Sequence, residues 1–516
     1  MPGRKSSGEN YSKTIWTKLR SIVDNDTERQ HNGKCLQSRD LLRTIIITKS
    51  PLAGVLLAAF FAHAAAASHN YVVRVDADLD ELRVIAQFES TPPGIAARSG
   101  DAGRFLKSAR DCESGKSLRR SGRRLALEPG LRCLDYTVDL ASAIRAEPRN
   151  RALDAANVIV SPTVWMWRPR LRGSDVIDVR FELPDEVSVS VPWNRIDAAQ
   201  SMYALPASPQ SGTGMAVFGR FDEHIVSIAD VHLRVVPLRG NDIGFNSDAL
   251  DWVRETIRNI TLAYGRFPNA EARVLLLPSR RRSDSPVRFG QVVRDGGETI
   301  ELMVDPTGAV DEMVDNWTAT HEFSHLMVPY IDRDRRWISE GFAQYYQNVL
   351  LARAGRYSEQ FAWQKLNDGL ERGRASAPRL SPNDAAESRD RNTRMKVYWA
   401  GAALALMADV ELRRRSDNRE SLDTVLGNLQ QCCLPSPRAW SGAELLEQLD
   451  EFVDEPLFVD LYRRVGETRG FPEFRSLLTD LGVRVENGTV VLRDDAELAE
   501  IRATITGQRY TDEPDQ

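Results

Sequence analysis

Two of the chain's seven histidines stand four apart, in His321-Glu322-Phe323-Ser324-His325. On a helix, residues at i and i+4 project from one face with Cβ atoms about 6 Å apart, near enough for two imidazoles to share one metal ion. Glu322 lies beside that face and can act as general base toward a water polarised there. Two histidines need a third protein ligand, and Glu340 supplies it from Trp337-Ile-Ser-Glu-Gly-Phe-Ala-Gln-Tyr-Tyr346, with fourteen residues between it and His325. A first helix running to about Tyr330 would travel roughly 7 Å past His325, and an antiparallel helix starting near Arg336 would climb back about 5 Å to Glu340. The carboxylate then returns to the level of the histidines. Two His and one Glu leave a fourth tetrahedral position open, the arrangement of a catalytic rather than a structural zinc, one ion per chain.

These residues resemble the gluzincin metallopeptidases. His321-Glu-x-x-His325 followed by Trp337-x-x-Glu340-Gly-Phe-Ala-x-Tyr-Tyr is most similar to the glycyl aminopeptidase family and its bacterial relatives, and more distantly to alanyl-type aminopeptidases. The likeness extends to Val397-Tyr-Trp-Ala-Gly401 and to the tail Asp494-Asp-Ala-Glu-Leu-Ala-Glu-Ile-Arg502. It implies His321, His325 and Glu340 as zinc ligands, Glu322 as base and proton shuttle, and Tyr398 as the hydroxyl that meets the oxyanion. A phenol opposite the metal suits that task on physical grounds as well, since negative charge develops there. Gln344, one turn beyond Glu340, is expected to orient a ligand. Three departures stand out: the short spacing between the ligands, Ala400 where the family has lysine, and a glycine-rich strand beside the substrate matched only by Gly296-Gly297-Glu298-Thr299. Gly296, Gly297 and Glu298 are the expected substrate contacts, Glu298 being the local carboxylate for a free amino terminus.

The elements that must position these groups follow from composition and period. The chain has 516 residues, 42% hydrophobic and 27% charged, with a formal charge of −5. That balance excludes a disordered tail and a nucleic-acid binder driven by global basicity. Leu52 to Ala67 is an apolar run without a charged side chain, ending in small residues, behind a stretch (1–49) holding ten Lys/Arg and five Asp/Glu. A leader of net charge +5 before a body of −10 is the polarity of a signal peptide or signal anchor, so the chain is expected to be exported, periplasmic or secreted, and held at a membrane through 51–67 only where the leader is uncleaved. Cys112 and Cys133 bracket a polar, basic loop of the kind a disulfide closes, whereas the adjacent Cys432 and Cys433 read as loop residues.

From Asn70 to about Arg239 the period is two, as in Tyr71/Val73/Val75 and Leu82/Val84/Ala86/Phe88, which predicts antiparallel strands. Near Asn246 it changes to three and four, with Leu250, Val253, Ile257, Ile260 and Tyr264 on one helical face. Strands follow at 273–278 and 299–304, then helices through Ala352, at 397–415 and at 445–465, and finally a strand pair and a closing helix. The expected fold is a multidomain α+β chain: an N-terminal antiparallel β-sandwich-like domain, a catalytic domain that the resemblance makes thermolysin-like, with a small sheet plus helices, and a helical C-terminal region. The corresponding segments are a leader (1–67), an all-β domain (68–239), a zinc-binding domain (240–355), a helical domain (356–480) and the tail (481–516). The function expected is peptide-bond hydrolysis on a peptide or protein substrate, as an aminopeptidase. A zinc endopeptidase and a non-catalytic binding module that keeps the fold remain the alternatives.

Overall fold

The computed structural model describes residues 68–146, 150–154, 156–210, 212–238, 243–279, 285–305 and 309–508. The leader, and with it the expected signal or anchor, lies outside the described residues.

Three sheets are stacked ahead of the helices. The first has seven strands in the order Asn194–Asp197, Met202–Pro206, Val176–Glu182, Ser68–Val75, Glu81–Phe88, Cys133–Asp139 and Leu106–Asp111. Its buried face is the one the alternation marks: Tyr71, Val73, Leu82, Val84 and Ala86 are all within 1% of full burial. One pair departs from the expected antiparallel pattern, because Ser68–Val75 and Val176–Glu182 run parallel. The hundred-odd residues between them return to the same end of the sheet, which periodicity cannot report.

The second sheet is the middle layer. Its strands Asn157–Val160 and Ala216–Gly219 are buried at every position, as a strand covered on both faces must be. Val158, Val160, Ala216 and Phe218 join the core of the first sheet. Ile159 and Val217 point the other way, against Val236, Leu275 and Leu277 of the third sheet.

That third sheet carries the site. Its order is His224–Ile228, Val231–Pro237, Glu271–Pro278, Glu298–Val304 and Val287–Arg294. The hairpin 224–237 therefore pairs with this sheet, through Val231–Pro237 beside Glu271–Pro278, although its sequence sits before the expected boundary at 239. Period two identifies a strand and is silent on its neighbours. The helical face of the sheet packs Val235, Val274, Ile300 and Leu302 against Ile257, Phe323 and Phe342.

In the C-terminal region the helix expected over 445–465 is two, Gly442–Asp450 and Phe458–Gly466. Asp450 accepts the backbone N–H groups of Leu457, Phe458 and Val459 at 2.6, 2.7 and 2.9 Å, capping the second helix across the break at Pro456. The tail forms the expected hairpin, Val483–Glu486 with Thr489–Leu492, and the helix Ala499–Thr506. Cys112 and Cys133 are joined with Cα atoms 5.4 Å apart. Cys432 and Cys433 end the helix Leu422–Cys433, which corrects the loop reading, and they are bonded to each other.

Candidate metal centre

Asn316 starts the motif helix, Trp317–Ser324, by accepting the N–H of Thr318. The helix tightens into a single 3-10 turn, His325–Met327, and stops. The expected run to Tyr330 is cut short by Pro329, which forces Val328 into an extended conformation (φ −134°, ψ 154°). The chain returns in the glutamate helix, Arg336–Arg353, whose first turns carry Ser339 and Glu340.

The three expected ligands converge. The donor atoms of His321, His325 and Glu340 all lie within 4.8 Å of one another, with Glu340 Oε2 at 3.5 Å from His321 Nε2 and 3.6 Å from His325 Nε2. Each imidazole is aimed by its other nitrogen: His321 Nδ1 hydrogen-bonds Gln347 Oε1 at 2.9 Å and His325 Nδ1 hydrogen-bonds Ser339 Oγ at 3.1 Å. With Nδ1 protonated and donating, both Nε2 lone pairs face the carboxylate, the donor set a zinc ion takes. Burial alone would raise the Glu340 carboxyl, but the two imidazoles beside it outweigh burial and hold the group well below the usual carboxylate range. The residues present therefore fit the metal that the motif implies.

Gln347 and Ser339 escaped the sequence reading, and Gln344 does not have the role expected of it. Gln344 is buried on the glutamate helix, and its carbonyl takes the Asn348 amide. Gln347 stands seven residues past Glu340, two full turns, and so shares its face; that spacing was the available signal. The two tyrosines closing the motif serve the scaffold: Tyr345 donates to Asp409 at 2.7 Å and Tyr346 to Asp423 at 2.9 Å. Those carboxylates are held in turn by the buried Arg413 and Arg353, at 3.0 and 2.9 Å.

Tyr398 reaches the site from the helix Arg394–Ser416, its ring 6.1 Å from that of His321. The two helices bearing Glu340 and Tyr398 touch at glycine. A Cβ on Gly341 would lie 2.1 Å from the backbone of Gly401, and one on Gly401 would lie 2.0 Å from the Trp337 carbonyl oxygen. Burial, with the Glu340 carboxylate beside it, pushes the Tyr398 phenol well above its ordinary value, so it stays a hydrogen-bond donor. Burial also pushes the Glu322 carboxyl up, to about 7.

Gly296, Gly297 and Glu298 are not where the sequence placed them. The Gly296-Gly297 turn packs on the first domain, against Trp193, Leu205 and Pro206 and against the Pro192 carbonyl and Asn194. Glu298 is 8% exposed and accepts from Arg294 Nε at 2.9 Å and Asn269 Nδ2 at 2.8 Å. Its charge is neutralised inside the protein, which removes it as a receptor for a free amine. Arg294 Nη2 donates to the carbonyls of His325 and Val328, at 2.7 and 2.9 Å, fixing the end of the motif helix.

The strand that does border the site is Val287–Arg294, the antiparallel edge of the third sheet. Gly290 lies against Glu322, since a Cβ there would meet Glu322 Cγ at 2.3 Å. Further along, Arg294 turns its backbone groups away from the sheet: its carbonyl accepts Gln210 N–H at 3.2 Å and its N–H donates to Gln210 Oε1 at 2.8 Å. Outward-facing residues alternate along an antiparallel ladder, so Val292 and Gly290 also present their backbone groups to the cleft. Gly290→Ala is expected to push the Glu322 side chain off its place and lower kcat about tenfold or more at unchanged zinc content, because a displacement of 1 Å at a reacting group costs up to 10²-fold. Steady-state kinetics with metal analysis checks this.

A two-histidine, one-glutamate cluster on paired helices, bordered by the antiparallel edge of a mixed sheet, has the arrangement of a gluzincin-type zinc site. Residues 318–403 match the family described as M61 glycyl aminopeptidase, the segment that carries all three ligands, Glu322 and Tyr398. No curated protein matches the chain. Among solved structures, it is similar to an aminopeptidase N family protein from Idiomarina loihiensis, with TM-score 0.59 and 13% identity over 81% of this chain and 79% of that one. A mutant M1 zinc metallopeptidase from Deinococcus radiodurans, solved with a Tyr-Ser-Ala substrate, gives TM-score 0.49 and 14% identity over 79% and 94%. At such identities the likeness to the first of these speaks for the fold, which it shares along most of its length.

Proposed function

We propose that the chain is an exported, zinc-dependent aminopeptidase binding one zinc ion per chain. The observation that carries the reading is the dead end on the edge strand. Gly290 adjoins Glu322 and Arg294 adjoins His325, so strand and metal helix run the same way. A peptide added antiparallel to that edge, the mode of strand augmentation, has its amino terminus toward Arg294. There Gln210 already occupies the edge. Between Gly290 and Arg294 lie three residues of strand, a span of roughly 13 Å, and with Gln210 on Arg294 this leaves room for about three substrate residues upstream of the cleaved bond.

His321, His325 and Glu340 would hold the zinc ion, which when bound would supply Lewis acidity toward a carbonyl and a water. Glu322 takes the proton from that water and delivers it to the leaving amine. Tyr398 donates its phenolic hydrogen to the carbonyl oxygen as charge develops there. The outward N–H and C=O groups of Gly290 and Val292 align the substrate backbone. Export rests on the apolar run 52–67 behind a basic leader.

One observation favours internal cleavage instead: Glu298, the carboxylate in sequence position to hold a free amine, is consumed by Arg294 and Asn269. A matched panel of free and N-blocked peptides separates the two. Release of amino-terminal residues from the free peptides alone is the expected result; cuts within blocked peptides would replace the exopeptidase reading. A strong chelator is expected to abolish cleavage and added zinc to restore it, and chelator-resistant hydrolysis would remove the metal from the mechanism.

A further inference from the structure

The first domain carries a basic loop that the catalytic reading leaves unused. Between the bonded Cys112 and Cys133 stand Lys116, Arg119, Arg120, Arg123, Arg124 and Arg132 against only Glu113 and Glu128, a net of +4 in a body of −10. All six cations are exposed, while Leu118, Leu125 and Leu131 are buried beneath them in the core of the first sheet. Lys116 pairs with Glu128 at 3.0 Å, and Arg123 donates to the Arg98 carbonyl. Arg119, Arg120, Arg124 and Arg132 have no acidic partner among the described residues. A hairpin, Arg120–Ser121 with Arg124–Leu125, holds the two Arg-Arg pairs on either side of Gly122, whose φ of +56° makes the turn.

The position of this loop gives it a partner. His69 is paired with Phe88, Gln87 with Cys133 and Leu134 with Asp111, and the Phe88 N–H donates to the Arg132 carbonyl. The loop thus leaves the sheet at the end where Ser68–Val75 begins, two strands away, roughly 10 Å. In the sequence, Ser68 directly follows the apolar run 52–67. A chain delivered through a membrane by that run presents this end of the sheet to the bilayer first. The acidic remainder is repelled by an anionic surface, so the basic loop is the face that can approach one.

We propose that the Cys112–Cys133 loop is a docking surface for an anionic phospholipid bilayer, which holds the enzyme with its first sheet end-on to the membrane from which the chain emerges. Residues 66–516 form one compact unit containing every core described above, so the chain from Ser68 is the species to test. It is expected to co-sediment with vesicles of phosphatidylcholine containing phosphatidylglycerol, to ignore phosphatidylcholine alone, and to be released by high salt. Converting Arg119, Arg120, Arg123 and Arg124 to Gln is expected to weaken vesicle binding by at least about a hundredfold, with peptidase activity and thermal midpoint unchanged. Converting the exposed Arg374, Arg414, Arg463 and Arg475 to Gln serves as the charge-matched control and is expected to leave binding intact. Absence of binding to the anionic vesicles, full binding by the loop variant, or an equal loss in the control would each overturn the proposal. Tighter capture by soluble polyglutamate than by the vesicles would also overturn it, in favour of an acidic protein partner. None of these outcomes bears on the peptidase reading, which is judged by activity alone.

Discussion

Glu322→Gln lowers kcat on free-terminus peptides by about 10²–10⁴-fold, the contribution of a positioned general base, and leaves zinc content and thermal midpoint close to those of the unmodified chain. The amide keeps the volume of the carboxylate, and Glu322 is 7% exposed against Gly290, so shape is conserved and basicity is removed. The metal ligands are untouched, since His321 and His325 are held by Gln347 and Ser339 rather than by Glu322. Kinetics measured beside metal analysis decides the matter. Near-normal turnover would eliminate Glu322 as the base, whereas lost zinc would show that the residue supports the site's structure instead. A variant that binds zinc, folds and is inert gives the expected result, and it is also a reagent for trapping substrates.

Gly401→Ala is the substitution from which we expect the largest combined effect on stability and rate. Its new Cβ would stand 2.0 Å from the Trp337 carbonyl oxygen and 2.7 Å from Gly341 Cα. Both obstacles are backbone, and Trp337 is fully buried, so no side chain can swing aside. The helices bearing Glu340 and Tyr398 must separate or slide. Overpacking of this kind costs about 1–3 kcal/mol, read as a lower denaturation midpoint. Because the displacement falls between the carboxylate ligand and the phenol, kcat is expected to drop about 10²-fold or more even where the protein folds. A variant with wild-type kcat would show that the glycine contact leaves the spacing of Glu340 and Tyr398 unaffected. The same contact explains why glycines follow both residues in the sequence, at 341 and 401.

The chemistry was legible before the fold because it depends on local geometry. His321 and His325 share a helical face by spacing alone, and the return of the chain in a second helix brings Glu340 to them although the first helix ends earlier than its rise required. Strand and helix segments were legible for the same reason: periods of two and of 3.6 record which side of an element is buried, as Tyr71/Val73/Val75 and Leu250/Val253/Ile257 do. Even the disulfide loop Cys112–Cys133 could be suspected from its polarity.

What the tertiary structure decided involves residues far apart in the chain. The glycine-rich stretch 296–298 looked like a substrate strand, yet its turn is packed under Trp193 and Pro192 and its carboxylate is neutralised by Arg294. The strand beside the metal is the preceding one, because the sheet order puts Val287–Arg294 at the edge. Sheet order is set by which strands bury one another, and a period of two is the same at an edge as in the centre. The orienting amide proved to be Gln347 rather than Gln344, since a buried imidazole takes the acceptor that lies in line with its Nδ1, and small changes of helix phase select it. Gln210 is the extreme case: nothing at position 210 announces that it will close the edge strand 84 residues downstream. The sequence by itself marked the three residues whose donor atoms converge and the carboxylate beside them, all short-range matters of spacing and charge. Only the packing of three sheets and two glycine-tight helices decided which strand borders the cluster and where Gln210 caps it, because those are set by long-range burial.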